Sequence, residues 1–212
     1  MTDFNYITLG NDCSPAGALT GLGLRNHALP FDWVVSSVNA LCLCFKTDFD
    51  RFHKDLMLNN THRRLIDSYG FEFPHDYPLN NTNVEIDRIG EGSIGEEDGK
   101  VITDNWLDYH EVVLDKYKRR IERFRNIIND PKPIIVFCRY STRDVLQLQQ
   151  LFQRVYKKEN VYFVNSTREG FENDKIKIKN IYTEQNTIWN DINMWKIGIE
   201  YIIQKYKSNN IC

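Results

Sequence analysis

The sequence has almost no excess charge, no long apolar run and no paired cysteines, and each absence removes a class of function. Lys and Arg total 27 against 29 Asp and Glu, a net charge of -2. Such a balance gives no field to draw the whole chain to nucleic acid or to an anionic membrane surface, so neither is expected as a partner. No stretch approaches the roughly 18–20 apolar residues that span a bilayer. The opening MTDFNYITLG has neither a basic segment nor an apolar core of the kind a secretory signal carries, so a cytoplasmic address is expected by default. The five cysteines, Cys13, Cys42, Cys44, Cys138 and Cys212, include no C-x-x-C pair. An odd, unpaired set reads as free thiols, not as a disulfide framework or a zinc site, and no metal or cofactor is expected. No internal repeat is visible.

What is present is ordinary globular composition: 212 residues, 42% hydrophobic, 13% aromatic and 26% charged. That excludes wholesale disorder and fits one domain over residues 1–212. Residues 4–9, FNYITL, are β-branched and aromatic and stop at Gly10-Asn11-Asp12, a strand ending in a tight turn. Ser14 then stands where a helix cap is expected and Pro15 where the first helical residue is. Pro30-Phe31-Asp32-Trp33 breaks the chain again, and Ser36 or Ser37 can cap a helix through VNALCLCF. From about 48 to 107 the pattern is irregular, with Asn-rich tracts and a glycine-punctuated EGSIGEEDGK, and an embellishment of the domain is expected there.

Order returns after residue 108. Tyr109, Val113, Tyr117, Ile121, Phe124 and Ile128 step by three and four, the mark of an amphipathic helix that ends before Pro131. The basic residues of 116–125 are expected on its solvated face. Ile134 to Cys138 is a continuous apolar run suited to a strand buried on both faces. Ser141 and Asp144 resemble a capping box opening another helix. Residues 161–164 and 175–182 read as two further strands, the second at an edge, and Ile188 to Tyr206 carries a terminal amphipathic helix. The order implies an α/β fold of three layers, a mostly parallel, Rossmann-like sheet flanked by helices with an irregular insertion in the middle. In such sheets ligands bind beyond the carboxyl ends of the strands. The first strand and the Ile134 strand are therefore expected side by side, bringing Cys13 and Arg139 to one rim.

Two groups of residues can carry chemistry. Cys13 sits between a strand end and a helix start, where unpaired N–H groups and the helix dipole favour a thiolate nucleophile. His75, in the proline-bounded Phe73-Pro74-His75-Asp76, is the best placed base, and Asp76 or Asp32 can orient its ring. Of the other histidines, His53 and His62 lie among charged residues and read as surface. The second group is Arg139, Ser141 and Arg143, where hydroxyls and guanidiniums follow a buried strand and open a helix, a ready anion site.

Leu9-Gly10-Asn11-Asp12-Cys13-Ser14-Pro15-Ala16, then Leu22-Gly23-Leu24-Arg25 and Pro30-Phe31-Asp32-Trp33, resemble the opening signature of a family labelled "putative papain-like cysteine peptidase", found in bacteria and large DNA viruses. The Phe73–Asp76 segment and the apolar strand ending in Arg139 are similar to its later features. The resemblance implies Cys13 as nucleophile and His75 as base. Asn11, Arg25 and Trp33, which stand in or beside these segments, are expected with Arg139, Ser141 and Arg143 to bind substrate. It also implies a papain-like α+β fold, the alternative to the parallel sheet, in which the cysteine rides a long helix and the histidine an antiparallel sheet. The leading expectation is a cysteine-dependent hydrolase acting on a peptide- or amide-type substrate, with N–H groups of residues 11–14 stabilising the oxyanion. The alternatives are a nucleotide- or sugar-phosphate-binding transferase using residues 139–143, and a non-catalytic interaction domain.

Overall fold

The computed structural model describes residues 4–80, 99–167, 177–182 and 191–209. In chain order these form β1 (Asn5–Leu9), α1 (Ser14–Gly21), α2 (Val38–Lys46), β2 (Met57–Leu58), β3 (Leu65–Ile66), β4 (Glu72–Phe73), a 3₁₀ turn (Trp106–Tyr109), α3 (His110–Asn129), β5 (Ile134–Cys138), α4 (Thr142–Tyr156), β6 (Val161–Ser166), β7 (Ile178–Ile181) and α5 (Ile192–Asn209). Cys212, most of EGSIGEEDGK, the start of the 175–182 strand and Ile188 lie outside the described residues.

The main sheet has the order β1-β5-β6-β7 among the described residues, and all three of its pairings are parallel. Every residue of β5 and β6 is buried, as their unbroken apolar runs require for central strands. Successive side chains alternate between two apolar clusters. Ile7, Leu9, Ile134, Val136 and Phe163 join the buried faces of α2, α3 and α4, whereas Ile135, Phe137, Tyr162 and Val164 join α1 and α5. Helices thus flank both faces of the sheet. The expected adjacency of the first strand and the Ile134 strand is observed, with Leu9 opposite Cys138 at the carboxyl ends.

The stretch expected as an embellishment contributes a second, smaller sheet. β2, β3 and β4 pair antiparallel, and a bridge from Val35 to Glu72 ties β4 to the segment before α2. Its apolar residues Phe49, Phe52, Leu65, Phe71 and Phe73 belong to the same buried cluster as Ile7 and Val136. Phe31 is the junction: its ring meets those of Phe45, Phe49, Phe52, Phe71 and Phe124, all at 5.5–5.7 Å. Edge and offset contacts of this kind add to the area buried, so Phe31 carries a large share of the packing between the two sheets. The parallel main sheet departs from the papain-like alternative. Its local elements agree in part, since the cysteine precedes a helix and the histidine follows an antiparallel strand.

Two local expectations are corrected. Cys13, not Ser14, is the N-cap of α1, and its carbonyl accepts from Gly17 N–H at 3.0 Å. Ser14 is the first helical residue because the Asp12 carboxylate, two residues earlier, already accepts the Ser14 N–H at 2.8 Å. The basic stretch of α3 is not all solvated: Lys116 and Arg120 are buried, since they share the helix side with Val113 and Tyr117 and face a buried carboxylate.

Gly10 ends β1 where the 30–34 segment crosses it. A Cβ there would lie 2.5 Å from the Val34 carbonyl oxygen and 2.7 Å from that of Phe31, both backbone atoms. Gly10→Ala is therefore expected to destabilise the fold by about 3 kcal/mol through overpacking that no rotamer change relieves. Thermal unfolding should show a melting temperature lower by roughly 6–12 °C.

Candidate active site

The carboxyl ends of β1 and β5 open onto one rim, and a buried polar network holds it. Tyr140, just past β5, donates its hydroxyl hydrogen to the Gly10 carbonyl at 2.8 Å and lies 2.7 Å from Ser36 Oγ. Asn165 of β6 accepts from Tyr140 N–H at 2.9 Å and donates to the Tyr140 carbonyl and to Asn180 Oδ1, both at 3.0 Å. Asn180 in turn donates to Thr142 Oγ1 at 3.0 Å. These bonds satisfy groups that burial would otherwise leave costly, and they cross-link β1, β5, β6 and β7 at the end where the turn carrying Cys13 emerges.

Cys13 is 7% exposed and His75 half-buried, and Cys13 Sγ lies 3.2 Å from His75 Nε2 although 62 residues separate them. That spacing serves either protonation state: a thiol donating to the imidazole or a thiolate accepting from an imidazolium. Trp33 stands edge-on to the His75 ring at 6.2 Å. The tryptophan reaches it through a left-handed backbone conformation with φ of 62°, costly for a bulky residue and tolerated because its neighbours are fixed. Phe31 is buried in the aromatic junction, and Asp32 accepts from Thr8 Oγ1 at 2.5 Å, from Arg25 Nε at 3.0 Å and from Leu29 N–H at 2.9 Å. Arg25 also lies over the Trp33 ring at 5.9 Å.

Neither carboxylate named as an orienter of His75 is engaged with the ring. Asp32 is turned toward β1 and Arg25, as described. Asp76 is buried, with Oδ1 on Lys116 Nζ at 2.5 Å and Oδ2 accepting from Tyr117 Oη at 2.7 Å. Burial opposes the charged form of Asp76, but Lys116 and Arg120 outweigh it and hold its carboxyl down at about 2. Asp76 is thus a peg: it fixes the backbone next to His75 to α3, and so the place of the ring. His53, expected at the surface, is also in this cluster and fully buried. It bonds Tyr77 Oη through Nε2 at 2.8 Å and stacks on His110. Burial lowers its pKa to about 3, so it is neutral at physiological pH.

At the second group of residues, Arg139 Nη1 forms an ion pair with Asp12 Oδ2. Ser141 is the N-cap of α4 and accepts from Asp144 N–H at 3.2 Å, while Arg143 is exposed on the first turn. Asn11 is exposed in the turn ahead of Cys13. The rim brings Cys13, His75, Trp33 and Arg139 together and leaves Ser141 in its own helix cap. Among the described residues no group of three or more His, Cys, Asp or Glu is arranged to hold a metal ion, and no helix is long and apolar enough to cross a membrane. Cys42, Cys44 and Cys138 are buried, and burial raises the thiols of Cys44 and Cys138 well above their ordinary range.

Sequence reasoning missed Asp12, Tyr140, Asn165 and Lys116. A signal did exist for Asn165, an amide inside an otherwise apolar strand, which is rarely buried without bonds to make.

The buried pair yields a stability prediction. Asp76→Asn takes away the buried carboxylate that Lys116 pairs with and is expected to cost about 3–5 kcal/mol in denaturant unfolding, whereas Asp76→Asn with Lys116→Met recovers much of that loss. Because the folded pKa of Asp76 is depressed, its contribution is complete above the unfolded value near 3.8 and disappears as pH falls through about 2. Acid titration of stability should show that slope in the wild type and lose it in the double variant.

The model of the family described as "Putative papain-like cysteine peptidase (DUF1796)" matches residues 4–167, which include β1 to β6 and every residue of the rim. An uncharacterized protein of Acanthamoeba polyphaga mimivirus is 43% identical over 51 residues, 24% of this chain and 23% of that protein. No solved structure matches. A family match over so much of the chain, on the segments that carry Cys13, His75 and Arg139, identifies the chain as a member of this family of papain-like cysteine peptidases, a label the family itself carries as putative.

Proposed function

We propose that the protein is a cysteine-dependent hydrolase of peptidase or amidase type, with Cys13 as nucleophile and His75 as general base and acid. The observation that carries this reading is the 3.2 Å approach of Sγ to Nε2, made by a cysteine at a helix start and a histidine on a pegged loop. The nucleophile–base distance lies within the range that proton transfer needs.

In this reading Nε2 takes the thiol proton, and Sγ attacks the substrate carbonyl carbon while the π pair moves to oxygen. The oxyanion faces the N–H groups of the turn at 10–13, since the Ser14 N–H is bonded to Asp12. Collapse breaks the C–N bond, the imidazolium gives its proton to the leaving amine, and a thioester remains on Cys13. Water then attacks the thioester carbonyl, His75 takes the water's proton, and the acid leaves as the Sγ–C bond breaks. Trp33 walls the His75 side of the cleft, where it shields the ring from solvent and offers an apolar face to a substrate side chain.

The test is turnover of a fluorogenic peptide and amide library by the full chain. Cys13→Ala is expected to abolish hydrolysis of any substrate found while leaving its binding nearly intact, and His75→Ala to reduce kcat/KM by roughly 10²–10⁴-fold. Mass spectrometry of a quenched reaction should find the acyl group on Cys13. Turnover undiminished by Cys13→Ala would refute the reading.

A further inference from the structure

Asp12 places a carboxylate one residue before the nucleophile, and a lone negative charge there would oppose a thiolate. The structure holds that carboxylate from two sides. Oδ1 accepts from Ser14 N–H at 2.8 Å and Ser14 Oγ at 2.5 Å, so it also closes the first turn of α1. Oδ2 is paired with Arg139 Nη1. Arg139 is carried there by the parallel register: Leu9 is opposite Cys138, so the residues that follow the two strands leave the sheet side by side. Both side chains are half-buried, at 28% and 29% exposure, so solvent screens the pair in part.

We propose that Arg139 is a positioning residue for the nucleophile: it cancels the Asp12 charge and fixes the turn so that Cys13 is held ready to ionise. The proposal rests on the reading of Cys13 and His75 as a working pair. Among the described residues, His75 from the loop after β4 approaches Cys13 directly, Asp12 stands next to it in its own turn, and Arg139 from the end of β5 reaches it through Asp12. Tyr140 beside Arg139 stays neutral, because burial pushes its hydroxyl above its ordinary range, and its proton is given to Gly10.

The experiment is the pH dependence of Cys13 alkylation by iodoacetamide in the full chain, read by peptide mapping. Arg139→Gln is expected to raise the midpoint by about one pH unit and slow alkylation about tenfold below it. Asp12→Asn keeps an acceptor for Ser14 while removing the charge, and is expected to lower the midpoint. The double variant should return close to wild type, and Arg139→Lys should retain most of the wild-type profile. Opposite signs for the two single variants separate this role from a merely structural one, which would slow both. Two same-direction shifts, or no shift in either, overturn the proposal while a low wild-type midpoint leaves the Cys13–His75 pair standing. An ordinary wild-type midpoint that His75→Ala leaves unchanged overturns both.

Discussion

The parallel pairing of β1 with β5 is the constraint on which the rest of the site depends. Its register sets Leu9 against Cys138, and therefore sets the turn from Gly10 to Cys13 against Arg139 and Tyr140. Everything at the rim is a consequence: the Tyr140 hydroxyl reaches the Gly10 carbonyl, Arg139 reaches Asp12, and the first turn of α1 starts where Asp12 can cap it. Moving the register by one residue would turn each strand's side chains to the opposite face and exchange the two apolar clusters. The rim is as firmly specified as the core beneath it.

His75 reaches this rim from beside a separate sheet, and two buried devices bring it there. Phe31 packs both sheets into one aromatic cluster, while its neighbours Asp32 and Trp33 face β1 and His75 respectively. Asp76 anchors the histidine loop to α3 through Lys116 and Tyr117. A buried ion pair adds little net stability compared with apolar packing, but it is strongly directional. Here that direction fixes the backbone beside His75. The short signature Pro30-Phe31-Asp32-Trp33 thus performs three tasks in consecutive residues: packing, tethering to the first strand, and standing against the His75 ring.

Much of this was legible in the sequence because it rests on local patterns. The apolar run at 134–138, the period of α3 and the Ser141 cap each follow from one segment's own chemistry, and strand–helix alternation implies the parallel sheet. Cys13 and His75 stood out by position, one at a strand-to-helix turn and one in a proline-bounded loop. What escaped was long-range pairing. His53 sits between charged neighbours in sequence yet turns inward, because Tyr77 offers its hydroxyl and His110 a stacking face. Lys116 and Arg120 look like a solvated stripe until a carboxylate 40 residues upstream of Lys116 is found buried beneath them. Asp76 follows the histidine directly, which made it look like an orienting partner, but the chain carries its side chain away toward α3. Such pairings depend on tertiary placement that no local window contains.

The central claim is that Cys13 and His75 act as a coupled acid–base pair. Thiolate absorbance in the ultraviolet, followed against pH in the wild type with the Cys13→Ala protein subtracted, measures it most directly. The account predicts a Cys13 thiolate already present well below the ordinary thiol value of about 8.5, and its displacement toward that value in His75→Ala. A wild-type signal that emerges only near about 8.5, unchanged by removal of His75, would contradict it.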